Sequence, residues 1–211
     1  MRTILLTSVM AIALAVAAHP AQAAGVRMYV RHEVSDYATW RKVYDGDANR
    51  KHHGVTGQAV YQSADNPNDV TVTHDFKTLE AAKAFAARPE LKAAMEKAGV
   101  TGAPQIWFTT IPGGLAAQTS GVRMYVHHEV SDYATWRKGY DRFDATRKKM
   151  GVTGQAVYRS ADNPNDVTVT HDFKTVEAAK AFAESPELFE AMAKAGVSGK
   201  PQAWFTTRAT K

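Results

Sequence analysis

At 211 residues, 45% apolar and 22% charged, the chain has ordinary globular composition and is long enough for two small domains. It contains no cysteine, which excludes disulfides, thiol catalysis and thiolate metal sites. The formal charge of +5 is spread over interleaved acidic and basic residues with no basic cluster or aromatic stacking motif, so nucleic acid is not an expected partner.

The first residues stand apart. Arg2 supplies a positive start, Ile4 to Ala18 is an almost unbroken apolar run, and Ala21-Gln22-Ala23 is a small-x-small cleavage pattern. Residues 1–23 are read as a signal peptide, which places the mature protein in the periplasm or outside the cell. The apolar run is shorter than the ~20 residues a spanning helix needs, and Pro20 closes it, so no membrane association is expected after cleavage.

The remainder is one unit written twice. Gly25 to Thr110 aligns with Gly121 to Thr207 at about four positions in five, with Phe143 inserted in the second copy. The domains are therefore 25–110 and 121–207. The stretch between them, 111–120, is rich in Gly and small polar residues and reads as a linker. Ten residues reach at most ~33 Å, which lets the second copy fold back onto the first.

Within copy one, Val26 to Val34 alternates as a strand, with Val26, Met28, Val30 and His32 on one face and Arg27, Tyr29, Arg31 and Glu33 on the other. Asp36 is N-cap chemistry, and Tyr37, Trp40 and Tyr44 form one stripe of a helix expected to run to His53. Strands are predicted at Gly57–Ser63 and Asp69–Phe76 around a turn of Asx residues, which lacks the Gly and distal Glu of a calcium loop. Thr78 caps a second helix, Pro89 starts a short third one that Gly99 ends, and Pro104 to Thr110 is the last strand.

The order β-α-β-β-α-β is the split-βαβ arrangement, an antiparallel sheet with both helices on one face. The fold class is thus α+β, two ferredoxin-like βαββαβ repeats. The uncovered sheet face would expose Tyr29 and Trp107, so the two copies are predicted to pair sheet to sheet as an intramolecular α/β barrel, a pseudo-dimer. Further oligomerisation is left open. The element order, together with HEVSDYATWRK, VYQSADNPNDVTVTHDF and SPELFEAMAKAGVSGKPQAWF, resembles the dimeric α/β-barrel superfamily, nearest to bacterial antibiotic-biosynthesis-monooxygenase-like or cyclase-like proteins. That resemblance implies two sheets enclosing a barrel. It spans a range of functions, from cofactor-free oxygenases to haem-degrading enzymes. The haem-degrading relatives take iron through a helix histidine, and neither 78–87 nor 89–98 contains one.

Strand parity nominates the lumen lining. Tyr29, Arg31, Glu33, Thr73, Asp75 and Trp107 face it in copy one, and Tyr125, His127, Glu129, Thr170, Asp172 and Trp204 in copy two. Such a lining fits either a small aromatic ligand or a polar interface in which Arg27 or Arg31 pairs with Glu33 or Asp75. His32, His74, His128 and His171 occur in both copies and fall on the opposite face. They are either hydrogen-bonded core histidines or general bases. No spacing for a metal site, phosphate loop or dinucleotide fingerprint is present, and no cofactor is expected. Ile106 becomes Ala203 and Lys92 becomes Phe189, which reads as Phe189 refilling volume lost in a core or as independent drift. Function is read as small-molecule binding or structural, with cofactor-independent oxygenation or cyclisation of an aromatic substrate as the enzymatic alternative and a haem or metal binder as the weakest reading.

Overall fold

The computed structural model describes residues 25–112 and 121–209. The signal-peptide reading and most of the linker fall outside the described residues. Copy one contains β1 (Val26–Val34), α1 (Tyr37–Gly46), β2 (Gly57–Ser63), β3 (Asp69–Phe76), α2 (Leu79–Ala86), α3 (Pro89–Lys97) and β4 (Val100–Thr110). Copy two contains β5 (Val122–Val130), α4 (Tyr133–Arg142), α5 (Asp144–Lys149), β6 (Gly154–Arg159), β7 (Asp166–Phe173), α6 (Val176–Ala183), α7 (Pro186–Lys194) and β8 (Val197–Arg208).

Asp36 accepts the Thr39 N–H at 2.8 Å and Thr78 accepts that of Ala81, so both expected N-caps form. The hairpin turn is built from Asx and Ser side chains: Asn66 Oδ1 accepts the Asn68 N–H, Ser63 Oγ accepts two further N–H groups, and Asn68 Oδ1 accepts the Tyr37 N–H. The turn thereby anchors the start of α1.

Two element boundaries differ from expectation. The first helix stops at Gly46, and Ala48–His53 is a 3-10 segment. Gly46 and Asp47 are poor helix residues, and the Asp47 N–H bonds back to Tyr44 rather than continuing the α-ladder. The last strand starts at Val100 because Pro104 lies in a bulge on an edge strand, where its missing N–H costs no ladder bond. Residues 102–104 of β4 sit opposite the single residue His32, with Gly102 at φ +71.

All strands join one antiparallel sheet ordered β4-β1-β3-β2-β8-β5-β7-β6. The copies meet along β2 and β8, where Gln62 pairs with Thr207 and the Ala64 N–H donates to the Phe205 carbonyl at 2.8 Å. At the opposite seam the sheet is not closed as a ladder. One bridge between Thr109 and Ser160, with the Ala161 N–H on the Phe108 carbonyl at 2.9 Å, brings its ends together. The helices cover the outer face and the inner faces meet each other. This is the predicted pairing of two ferredoxin-like units in a pseudo-dimeric α/β barrel.

Ile106 and Phe189 are exposed, 37% and 56%, and Ala203 is exposed too. No core volume is lost at Ala203, so the refilling expectation fails and the cost of a buried Ile to Ala change does not arise. In copy one Ile106 and Lys92 line a common surface groove beside α3.

Candidate functional site

Parity brings Tyr29, Trp107, Tyr125 and Trp204 together inside the barrel. Tyr29 stacks on Trp107 with centroids 4.9 Å apart and Tyr125 on Trp204 at 5.0 Å, while the two stacks meet edge-on. Tyr158 and Tyr61 close the cluster against Tyr29 and Tyr125. Each indole donates across to the other copy, Trp107 Nε1 to Thr168 Oγ1 at 3.0 Å and Trp204 Nε1 to Thr71 Oγ1 at 3.1 Å. Aromatic contacts of this kind contribute ~0.5–1.5 kcal/mol each beyond their buried area. The lumen is thus packed with aromatic rings that tie the copies together.

The arginines around this core are paired with aspartates. Asp75 receives Arg27 bidentately at 2.6 and 2.9 Å, and Asp172 receives Arg123 at 2.6 and 2.8 Å. Arg31 lies over the Trp204 ring and pairs with Asp69 at 2.6 Å, whereas Glu33 and Glu129 are exposed at the strand ends. Of the pairings expected, Arg27–Asp75 is present, while Arg31 pairs with Asp69, the registered neighbour of Glu33, in place of Glu33 or Asp75. His127 takes the place of Arg31 in copy two and meets Asp166 at 2.6 Å. Thr73 and Thr170 are buried on the same face.

The opposite face of each sheet, under the helices, carries a different chemistry. In copy one a cavity of about 70 Å³ lies between β1, β3, α1 and α3, within a cleft of about 550 Å³ counted out to solvent. Its lining includes His32, Trp40, Tyr44, Asp47, Arg50, His74 and Phe85. His32 and His74 are 7% and 4% exposed. Neither ring nitrogen of His32 and not the Nδ1 of His74 has a protein hydrogen-bond partner. Burial pushes both imidazoles down to about 4, helped at His74 by the Arg50 charge, so both rings are neutral at pH 7.

His74 is held by a chain of polar groups. Its Nε2 is 3.2 Å from the Tyr44 hydroxyl, which is also 3.4 Å from Gln58 Oε1, and Gln58 Oε1 accepts Arg50 Nε at 2.9 Å. Arg50 lies over the Tyr44 ring and donates to the Tyr44 carbonyl. Burial raises Tyr44 to about 12, which keeps the phenol protonated. If Tyr44 donates to Gln58, His74 donates from Nε2 and offers a free Nδ1 lone pair to the cavity. If Tyr44 donates to His74, the Nδ1–H faces the cavity instead.

Copy two repeats the constellation in a tighter form. His128, Trp136, Tyr140, Arg147 and His171 line a cavity of about 40 Å³. Tyr140 is 3.3 Å from His171 Nε2, and burial lowers His171 to about 3. His128, lowered to about 4 chiefly by burial, has the Val126 carbonyl near its ring without the geometry of a hydrogen bond. Gly139 stands where copy one has Val43, and Phe143 lines the cavity where copy one has Asp47. A Cβ at Gly139 would lie 3.0 Å from that of Ala195, so α4 packs against α7 more closely than a larger residue allows.

The four histidines nominated from the sequence are therefore gathered in two helix-side sites. The lumen residues form a separate cluster. Sequence reasoning missed Arg50, Arg147, Gln58 and Gln155, whose only signal was their presence in both copies, which most positions share. His52 and His53 are exposed in the 3-10 segment. Among the described residues, no group of three or more His, Cys, Asp or Glu is arranged to hold a metal ion. No helix histidine lines either helix-side cavity, so the iron ligand that the haem-degrading resemblance implies has no counterpart there.

No protein family and no curated protein matches the chain by sequence. Solved structures do match by shape. An anthrone oxidase-like protein aligns with a TM-score of 0.65 over 90% of this chain and 93% of its own, at 11% identity. The fold is that of the dimeric α/β-barrel proteins. A Lactobacillus acidophilus protein assigned as a monooxygenase aligns at 0.51, 15% identity, covering 87% and 94%. A Listeria monocytogenes ferredoxin-fold protein related to antibiotic biosynthesis monooxygenases aligns at 0.50, 9% identity, covering 89% and 96%. At these identities the likeness is one of fold.

Proposed function

We propose that this protein, exported by its N-terminal leader, binds a small neutral aromatic molecule under its helices. The observation that carries this reading is the pair of buried, neutral histidines in the copy-one cleft, where both ring nitrogens of His32 and Nδ1 of His74 lack protein partners among the described residues. A buried unpaired polar nitrogen costs about 1–3 kcal/mol, which a ligand hydroxyl offsets by pairing with it. In the lumen the rings stack on one another and the buried arginines are paired, which leaves only the buried Thr109 and Thr170 hydroxyls without a partner among the described residues.

The test is titration of the mature chain with phenol, followed by the ¹H–¹³C signals of His Cε1. Saturable shifts of His32 or His74 are expected. Silence of His32, His74, His128 and His171 alike up to the solubility of phenol would overturn the reading.

A second reading is favoured by the Tyr44–His74 pair and by the anthrone oxidase-like and monooxygenase-assigned neighbours. It is cofactor-independent oxidation of an activated CH2 group to a ketone, R2CH2 + O2 → R2C=O + H2O, with the substrate as sole reductant. His74 Nδ1, when it carries the lone pair, would accept the first proton. Oxygen consumption with anthrone that disappears in His74→Phe supports it, and consumption no faster than in buffer counts against it.

A further inference from the structure

The two helix-side sites share their histidines, tyrosine, arginine and tryptophan, yet differ at the helix junction. In copy one the chain leaves α1 through Gly46 and Asp47, Val43 packs against the core cluster that contains Ala98, and Asp47 sits one-third exposed at the rim. In copy two Phe143 is inserted at that junction and packs into the core cluster that also contains Val126 and Leu188. Gly139 lets α4 settle onto Ala195, and Arg147 is 1% exposed where Arg50 is 8%. The cavity is about 40 Å³ in copy two against about 70 Å³ in copy one, within clefts of about 450 and 550 Å³ counted out to solvent.

We propose that the sites have diverged, so that copy one keeps a binding cleft for a small neutral hydroxy-aromatic while Phe143 and Gly139 close the cleft of copy two. This rests on the binding reading above and adds its location and ligand class. In either tautomer the His32 ring presents one N–H and one lone pair, matching a hydroxyl that both donates and accepts. Trp40, Tyr44 and Phe85 supply aromatic walls. No cationic histidine is available there to favour an anion, because desolvation keeps the rings neutral.

The experiment is the same phenol titration with all four buried histidines assigned, in the wild-type chain and in Phe143→Ala. In the wild type His32 and His74 are expected to titrate about tenfold tighter than His128 and His171. In Phe143→Ala the copy-two pair should approach the affinity of copy one. A second variant, Gly139→Val with Phe143 deleted, rebuilds the copy-one junction should the point variant fold poorly. Equal titration of both pairs in the wild type, or titration of copy two alone, overturns the inference and leaves the binding reading intact. Copy-one titration with no gain in either variant overturns the assignment of Phe143 and Gly139 as the closure. Silence of every histidine in every variant overturns the binding reading itself.

Discussion

Copy one and copy two are nearly symmetric in the aromatic core of the lumen and differ in the packing under their helices. Along the lumen the indoles and threonines exchange nearly symmetric bonds, and Arg27–Asp75 is repeated as Arg123–Asp172 at the same 2.6 Å. Under the helices one inserted residue and one Val to Gly change reshape a cavity without altering its histidines. An interface between copies must suit both sides at once, so its residues are constrained in pairs. The helix-side cores have no such partner, and each is free to repack alone.

The largest test of that contrast is at the buried arginines. Arg147 donates to Gln155, to the Tyr140 carbonyl and to Asp144, with almost no exposure. Arg147→Met should cost about 3 kcal/mol, because it removes three hydrogen bonds of a buried charged group, one of them to the Tyr140 carbonyl. Arg50→Met, at a looser site, should cost about half as much, read from urea midpoints of the full chain. Equal losses would show that the two helix-side cores are equally tight and would break the comparison.

Acid sharpens it next. His32, His74, His128 and His171 all have folded pKa values below their ordinary 6.5, His171 the lowest at about 3. The unfolded chain therefore binds more protons than the folded one between pH 6.5 and the depressed values. Stability is full above that window and is lost as pH falls from about 6.5 towards 4. His171→Phe should remove about 2–3 kcal/mol of the loss measured between about pH 7 and 4.5. His74→Phe should remove somewhat less. An unchanged acid slope in His171→Phe would mean that this ring titrates alike in the folded and unfolded chain.

Much of this architecture was legible in the sequence, and the reasons are physical. Period-two alternation in VRMYVRHEV sorts Tyr29 from His32 unambiguously, and the duplication supplies a cover for the face that Tyr29 and Trp107 would otherwise expose. Helix ends were less legible: the Tyr37–Trp40–Tyr44 stripe continues in period past Gly46, but the backbone turns there into a 3-10 segment. Charge pairing followed register rather than sequence proximity, so Arg31 found Asp69 across the sheet. The helix-side sites were hidden for another reason. A histidine among valines looks alike in sequence whether its nitrogens are paired or free, and Arg50 reaches its site only because the helix breaks before it.

The smallest effect is expected at the outer clamps. Lys83 of α2 reaches Asp162 in the turn of copy two, and Lys180 of α6 reaches Asp65 in the turn of copy one, each at 2.5 Å. All four side chains are about half exposed, so solvent screens the attraction and side-chain ordering opposes it. Lys83→Ala and Lys180→Ala should leave the urea midpoint unchanged at about 0.15 M salt, where the Debye length is ~8 Å, with a slight fall only at low ionic strength. The two variants should also behave alike, since the clamps are related by the same pseudo-symmetry as the indole bonds. A large fall in either would locate the cohesion of the copies at the rim of the barrel instead of in its aromatic core. A large difference between them would extend the divergence from the helix-side cores to the seams.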